Sequence, residues 1–94
     1  MLYEQPLKSF SELVERLRSL DQDAGIRLVG RSGGKRVLVF VTRFGPKYTM
    51  MTYTVRPRTG TPLKKLDTRE FDSPEGVGAA LRTLVRGRLQ AWLY

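Results

Sequence analysis

Two helices are predicted from apolar residues that recur every three or four positions along the chain. The first covers residues 10–21, where Ser9 opens a capping box that satisfies free backbone N–H groups at the helix start. The second begins at Pro74, with Ser73 as its N-cap. Gly87 either ends this second helix or lies within it, so the sequence leaves the helix length open.

Between the helices the apolar period changes to two, which predicts β-strands. The pair Gly33-Gly34 accepts the positive φ angles of a tight hairpin, and Pro and Gly residues mark the other turns. The four predicted strands are Ile26–Arg31, Lys35–Arg43, Lys47–Arg56 and Leu63–Phe71. We expect an α+β fold in one domain over residues 1–94: an N-terminal helix, a four-stranded antiparallel meander and a C-terminal helix, with both helices on one sheet face.

The first hairpin has two faces of different character. With a two-residue turn, one face carries only apolar residues, and we expect the helices to cover it. This apolar face comprises Ile26, Leu28, Val37, Val39 and Val41. The opposite face mixes arginines with apolar side chains and rings: Arg27, Val29, Arg31, Arg36, Leu38 and Phe40, joined by Met51 and Tyr53 from the third strand. The mixed face is the candidate binding surface.

Composition limits the chemistry of the protein. The chain has 94 residues, 40% of them hydrophobic, and contains neither Cys nor His. Disulfide scaffolds, thiol or histidine catalysis and zinc ribbons are therefore excluded. We expect no metal, no cofactor and no small-molecule substrate, since the chain has no glycine-rich phosphate-binding motif. No apolar run is long enough to cross a membrane, and we expect a cytoplasmic location.

Positive charge is concentrated in the middle of the chain. The chain carries 17 Lys and Arg against 9 Asp and Glu, a net charge of +8. Residues 24–66 hold ten of the basic residues and no acidic one. Such uncompensated charge repels itself unless an anionic partner relieves it. The segregation predicts a polyanion site, and its position on strands rather than on an amphipathic helix argues against a membrane surface.

The candidate contacts follow from charge and register. Guanidinium groups neutralise phosphates, and aromatic rings stack on unpaired bases, as single-stranded nucleic acid requires. The predicted phosphate contacts are Arg27, Arg31, Lys35, Arg36, Arg43 and Lys47, and the predicted stacking rings are Phe40 and Tyr53. A one-residue change in the second turn would replace Tyr53 by Tyr48, Arg56 and Arg58, which are therefore candidates as well. The alternative is that another subunit or a helix covers the two rings.

A catalytic function is not expected. Asp67, Glu70, Asp72 and Glu75 cluster near the second helix, and a two-metal nuclease needs converging carboxylates. However, Glu75 suits the positive end of the helix dipole and Asp72 suits a turn. The apolar tail over residues 88–94 is expected to lie in the core or in a subunit interface.

The order and character of these elements resemble a known family. The capped helix (SFSELVERL), the basic hairpin (IRLVGRSGGKRVLVFVTRF) and the closing segment (FDSPEGVGAALRTLVRGRLQAWLY) are similar to the ThermoDBP-related single-stranded DNA-binding proteins of thermophilic archaea. The resemblance spans nearly the whole chain and includes no short diagnostic motif, so no binding residue is carried over from the family. It implies sequence-tolerant binding of single-stranded DNA by a homo-oligomer, either a dimer or a tetramer.

The function expected from the sequence is non-catalytic binding of single-stranded DNA, or of RNA, largely independent of base sequence. Two alternatives stay open. A double-stranded RNA-binding module has the same helix–sheet–helix order, although an acidic segment at residues 73–75 stands where a Lys-rich helix start is expected. A protein-interaction subunit would instead use the basic sheet to dock an acidic partner.

Overall fold

The computed structural model describes residues 5–20, 24–85 and 90–93 of the chain. Within these ranges the chain forms two helices and six strands. In chain order they are β1 (Gln5–Leu7), α1 (Phe10–Arg18), β2 (Gly25–Ser32), β3 (Lys35–Phe44), β4 (Lys47–Val55), β5 (Pro62–Phe71), α2 (Pro74–Leu84) and β6 (Ala91–Leu93). The predicted α+β class, with an N-terminal helix, an antiparallel sheet and a C-terminal helix, is confirmed.

All six strands belong to one antiparallel sheet, in the spatial order β1-β6-β2-β3-β4-β5. The predicted meander is present as β2 to β5, and each strand end falls within one residue of its predicted position. The predicted count of four strands is too low, because β1 and β6 have only 3 residues each and cannot display a clear period of two. β6 lies between β1 and β2, so the C-terminal tail completes the sheet.

The β2–β3 hairpin turns at Gly33 and Gly34, whose φ angles are 60° and 80°. A type I′ turn requires positive φ at both central residues, which glycine adopts without steric cost. This two-residue turn sets the register of the hairpin. Arg31 therefore faces Arg36, and Arg27 faces Phe40, as the sequence predicted.

Both helices begin with the predicted caps. In α1 the backbone N–H of Glu12 donates to Ser9 Oγ (3.2 Å), and the Glu12 carboxylate accepts from the backbone N–H of Lys8 (3.1 Å). In α2 the backbone N–H of Gly76 donates to Ser73 Oγ (3.1 Å). These hydrogen bonds satisfy donors that the first turn of a helix leaves free.

The helix ends differ from the sequence prediction. α1 ends at Arg18, before its predicted end at residue 21, which lies outside the described ranges. α2 ends at Leu84. Gly87, which left the length of α2 open, is also outside the described residues. The tail predicted over residues 88–94 contributes strand β6 to the sheet.

The core lies between the two helices and one face of the sheet. Its fully buried side chains come from both helices and from alternate positions of β2 and β3: Leu13, Leu17, Ile26, Leu28, Val37, Val39, Val41, Val77 and Leu81. The predicted apolar face is thus the face that the helices cover. The end of α2 approaches β2 so closely that a Cβ on Gly30 would lie 2.8 Å from the carbonyl oxygen of Leu84. A side chain at this position would push α2 away from the sheet.

An exposed ion pair between Arg18 and Glu75 joins α1 to the first turn of α2. The backbone N–H of Glu75 and the Arg18 guanidinium lower the pKa of the Glu75 carboxyl. The hydrogen bond to Glu75 in turn raises the pKa of Arg18. Glu75 therefore serves the helix start, as its place in the sequence suggested, and it also joins the two helices, which the sequence did not predict.

Candidate nucleic-acid interface

We call the sheet surface opposite the helices the open face. Side chains alternate along a strand, so the strand pairing decides which residues share this face. From the Gly33-Gly34 hairpin to the middle of the sheet, it comprises Arg31, Arg36, Val29, Leu38, Arg27, Phe40, Met51, Tyr53 and Trp92. The predicted mixed face is confirmed, and the register brings Tyr53 rather than Tyr48 onto it. Leu38 is 3% exposed although it lies outside the main core, because its neighbours on the open face cover it.

Two predicted stacking rings form a pair on the open face. The ring centroids of Phe40 and Tyr53 are 5.7 Å apart and the ring planes are inclined by 82°, an edge-to-face arrangement. Both side chains are partly exposed. Packing against each other limits the rotamers of the two rings, so little side-chain freedom would be lost when a base stacks on them.

A third ring, which is not among the predicted binding residues, lies on the same face, with Arg27 between it and Phe40. Trp92 in β6 faces Arg27 in β2, and the Arg27 guanidinium lies 4.6 Å from the centroid of the Trp92 ring. Trp92 is partly exposed. The apolar, aromatic character of the tail predicts core or subunit interface, and a strand of three residues shows too little alternation to place the indole on a face.

The hairpin end of the open face is strongly basic. Arg31 and Arg36 face each other directly across β2 and β3, and both are exposed. Together with Lys35 they line an open groove of about 610 Å³, whose other lining residues are Thr54, Val55, Pro57 and Leu63. None of the described residues that line this groove carries a carboxylate. Three positive charges around one concavity favour an anionic occupant.

The predicted candidates Arg56 and Arg58 lie at the same end of the molecule. Both are exposed in the loop between β4 and β5, on either side of Pro57, which lines the basic groove. The loop is closed by hydrogen bonds from the Arg56 N–H to the Thr61 carbonyl (3.0 Å) and from the Gly60 N–H to the Arg56 carbonyl (2.8 Å). These two arginines therefore border the groove rather than the aromatic part of the open face.

Lys47 lies at the opposite end of the open face, next to the β3–β4 turn. It pairs across the strands with Phe44, whose side chain is 83% exposed. The predicted second strand ends at Arg43, one residue before Phe44, so Phe44 is not among the predicted binding residues. The open face consequently carries cations at both ends and rings both in the centre and beside Lys47.

Two predicted contacts, Arg43 and Tyr48, lie on the helix-covered face instead. The Arg43 guanidinium donates to the carbonyl oxygens of Leu20 (3.0 Å) and Gly45 (3.1 Å). Tyr48 is 4% exposed, and its hydroxyl donates to the carbonyl oxygen of Leu17 (2.7 Å). The prediction of Tyr48 as a binding ring is wrong, because the one-residue change on which it depended is absent and the register directs its side chain toward the end of α1. Arg43 lies on the same side, and its contact with phosphate stays a prediction.

The carboxylates considered for metal binding do not form a metal site among the described residues. No group of three or more His, Cys, Asp or Glu side chains in the described ranges is arranged to hold a metal ion. Thr68 and Glu70 share the open face, where they pair with Met51 and Thr49, whereas Asp67 pairs with Thr52 on the other face. The alternation of β5 thus separates two of the acids.

No protein-family model, curated protein or solved structure matches this chain. The resemblance to ThermoDBP-related proteins is not supported by these comparisons and stays a prediction. Within the described residues, neither helix is long and apolar enough to cross a membrane.

Proposed function

We propose that the protein is a non-catalytic, largely sequence-independent single-stranded nucleic-acid-binding protein, with single-stranded DNA as its ligand. The observation that carries this proposal is the open face. Three partly exposed rings, Phe40, Tyr53 and Trp92, lie there beside the guanidinium of Arg27 and between cations at both ends. Basic grooves with aromatic platforms are the usual means of binding single strands without sequence preference.

In this proposal the rings stack on the bases, and the cations bind the phosphates. Trp92, Phe40 and Tyr53 occupy β6, β3 and β4, so the platform extends over about 14 Å, or three inter-strand spacings. The basic groove with Arg31 and Arg36 lies at one end of the open face, and Lys47 lies at the other. A strand crossing the platform would therefore meet phosphate contacts on each side of the stacked bases.

Sequence tolerance follows from the nature of these contacts. Every base has a π-face, so stacking on a ring does not discriminate strongly among bases. Phosphate contacts carry no sequence information directly. The proposal includes the homo-oligomer that the family resemblance implies.

This surface suits a duplex ligand less well than a single strand. Stacking rings need unpaired bases, whereas double-stranded RNA is recognised mainly by shape and by its phosphates and hydroxyl groups. The start of α2 would have to supply basic contacts in such a module, but its first turn holds Glu75, which pairs with Arg18.

Fluorescence of Trp92, the one tryptophan of the chain, gives a direct test. A single-stranded DNA oligonucleotide should change its emission saturably at low salt, and a duplex of the same sequence should compete weakly. The same titration with a single-stranded RNA of matching sequence measures whether the protein prefers deoxyribose or ribose. Stronger competition by duplex RNA would favour the double-stranded RNA module. Binding of an acidic polypeptide, with no response to any nucleic acid, would favour the protein-docking alternative.

A further inference from the structure

Strand β5 is an unusually exposed edge of the sheet. It runs over the 10 residues Pro62–Phe71 and pairs with β4 on one side and with no other strand among the described residues. Every residue of β5 except Phe71 is exposed, including Leu63 and Leu66, which are 57% and 51% exposed. A long free edge presents a row of backbone donors and acceptors to any strand that can pair with it.

The charged side chains of β5 lack ionic partners within the described part of the chain. Lys65, Asp67 and Glu70 make no ion pair or side-chain hydrogen bond with a described residue, and Arg69 lies over the ring of Phe71 at 5.0 Å. From Lys65 onward, positive and negative residues nevertheless alternate in order, Lys65, Asp67, Arg69 and Glu70, while Lys64 adds a second positive charge at the start. The order suggests that the charges are matched by something outside the single chain.

A second copy of β5, running antiparallel about a two-fold axis at Thr68, supplies such a match. In this register Asp67 lies opposite Arg69 of the second copy, and Arg69 lies opposite its Asp67. In the pairing of β5 with β4, Asp67 pairs with Thr52 and the next pair is Lys65 with Tyr53, so Leu66 is skipped at a register shift. The same shift in the second pairing brings Lys65, rather than Leu66, to the position after Asp67. Lys65 then faces Glu70 of the second copy. The two-fold axis doubles both contacts, giving four opposite-charge pairs.

We propose that β5 is a self-complementary edge through which two copies of this chain form an antiparallel dimer. A two-fold axis perpendicular to the sheet joins the two six-stranded sheets and keeps both open faces on the same side. No described helix blocks the approach, since Asp67 and Arg69 are exposed on the helix-facing side of β5. The inference concerns the free protein and does not depend on nucleic-acid binding.

β5 carries a lysine and a register shift, features that usually protect a sheet edge, but in this pairing both are compatible with a second copy of β5. Lysines and bulges on an edge strand normally prevent association with other strands. Here Lys65 meets a carboxylate, and the register shift at Leu66 brings that carboxylate opposite it. A strand without carboxylates opposite Lys65 and Arg69 would leave these charges uncompensated, so the edge favours a second copy of itself over most other strands.

Charge reversal with rescue tests the proposal. The mass of the protein in solution, measured by sedimentation equilibrium without nucleic acid, should be twice the chain mass of 10.7 kDa. Asp67→Arg and Arg69→Asp, tested separately, each place like charges opposite one another and should give a monomer. The double variant Asp67→Arg/Arg69→Asp restores opposite charges across the axis and should be dimeric again. Arg16→Glu, on the exposed side of α1, is the matched control for charge reversal and should remain dimeric.

Three results would overturn the proposal: a monomeric wild-type protein at high micromolar concentration, an oligomer that neither single reversal dissociates, or a double variant that stays monomeric. Circular dichroism of each variant shows whether the chain is folded. Single reversals that are monomeric yet still bind nucleic acid would support the edge, whereas a dimeric wild-type protein that binds no nucleic acid would contradict only the proposed function.

Discussion

The guanidinium of Arg27 lies 4.6 Å from the centroid of the Trp92 ring, which ties the end of the chain to the middle of the sheet. The contact joins β2 to the short strand β6 and orders both side chains on the open face. It places a cation and a ring at one position, beside the Phe40–Tyr53 pair. The distance is that of a cation–π contact, in which a guanidinium is attracted to the face of an indole ring.

Tyr53→Ala should weaken binding of a single-stranded oligonucleotide by about 1–3 kcal/mol, because it removes one stacking surface. Tyr53→Phe keeps the ring and its edge-to-face contact with Phe40, so it should bind nearly as tightly as the wild type. Fluorescence titration of all three proteins measures the effect. Equal affinity of the wild type and Tyr53→Ala would remove this ring from the site.

Arg36→Thr should make the protein more stable and a weaker binder. Arg31 and Arg36 are like charges directly across the hairpin, and such pairs destabilise a sheet by about 0.2–1 kcal/mol. Threonine removes this repulsion and suits a strand. Lys35→Thr is the control, because Lys35 faces Ser32 and has no like charge opposite it. Thermal denaturation should show stabilisation for Arg36→Thr alone. No gain in stability would indicate that the two side chains diverge.

Tyr48→Phe should reduce stability by about 1 kcal/mol without changing affinity for nucleic acid. The variant deletes the buried hydrogen bond from the hydroxyl to the Leu17 carbonyl (2.7 Å) and leaves the packed ring in place. Denaturant unfolding and oligonucleotide titration of the same variant measure the two effects. A loss of affinity with unchanged stability would place Tyr48 in the binding site after all.

Glu75→Gln should destabilise the protein slightly near neutral pH and less in acid. The pKa of Glu75 is lowered in the folded state, so its contribution to stability is present above the ordinary carboxyl pKa of 4.5 and is lost as pH falls through the lowered value. The pair is exposed, so the effect is small. Thermal denaturation across this pH range measures it. A wild-type advantage that persists unchanged in strong acid would contradict the assignment.

Most of the fold could be predicted from the sequence, because the sequence features that specify it act over a few neighbouring residues. The caps at Ser9 and Ser73, the Gly33-Gly34 turn and the alternation of β2 and β3 each specify structure over a few residues. The short turns between neighbouring strands then fix the register of the meander.

The missed features depend on contacts between distant parts of the chain. β6 is recognisable only from its pairing with β1 and β2, so Trp92 could not be assigned to the open face from three residues of sequence. Arg43 looked like any other cation of the basic segment, and only the position of α1 shows that its guanidinium binds the carbonyl of Leu20. Charge alone does not distinguish a ligand contact from such a structural role.

The salt dependence of single-stranded DNA binding tests the central claim, that phosphates lie along the cations of the open face. The logarithm of affinity should fall with the logarithm of salt concentration by about 0.7 for each phosphate neutralised. Arg31→Ala should make this slope shallower by about 0.7, whereas Arg16→Ala, which removes the same charge from the exposed side of α1, should leave the slope unchanged. Equal slopes for the two variants, or a wild-type affinity independent of salt, would contradict the claim.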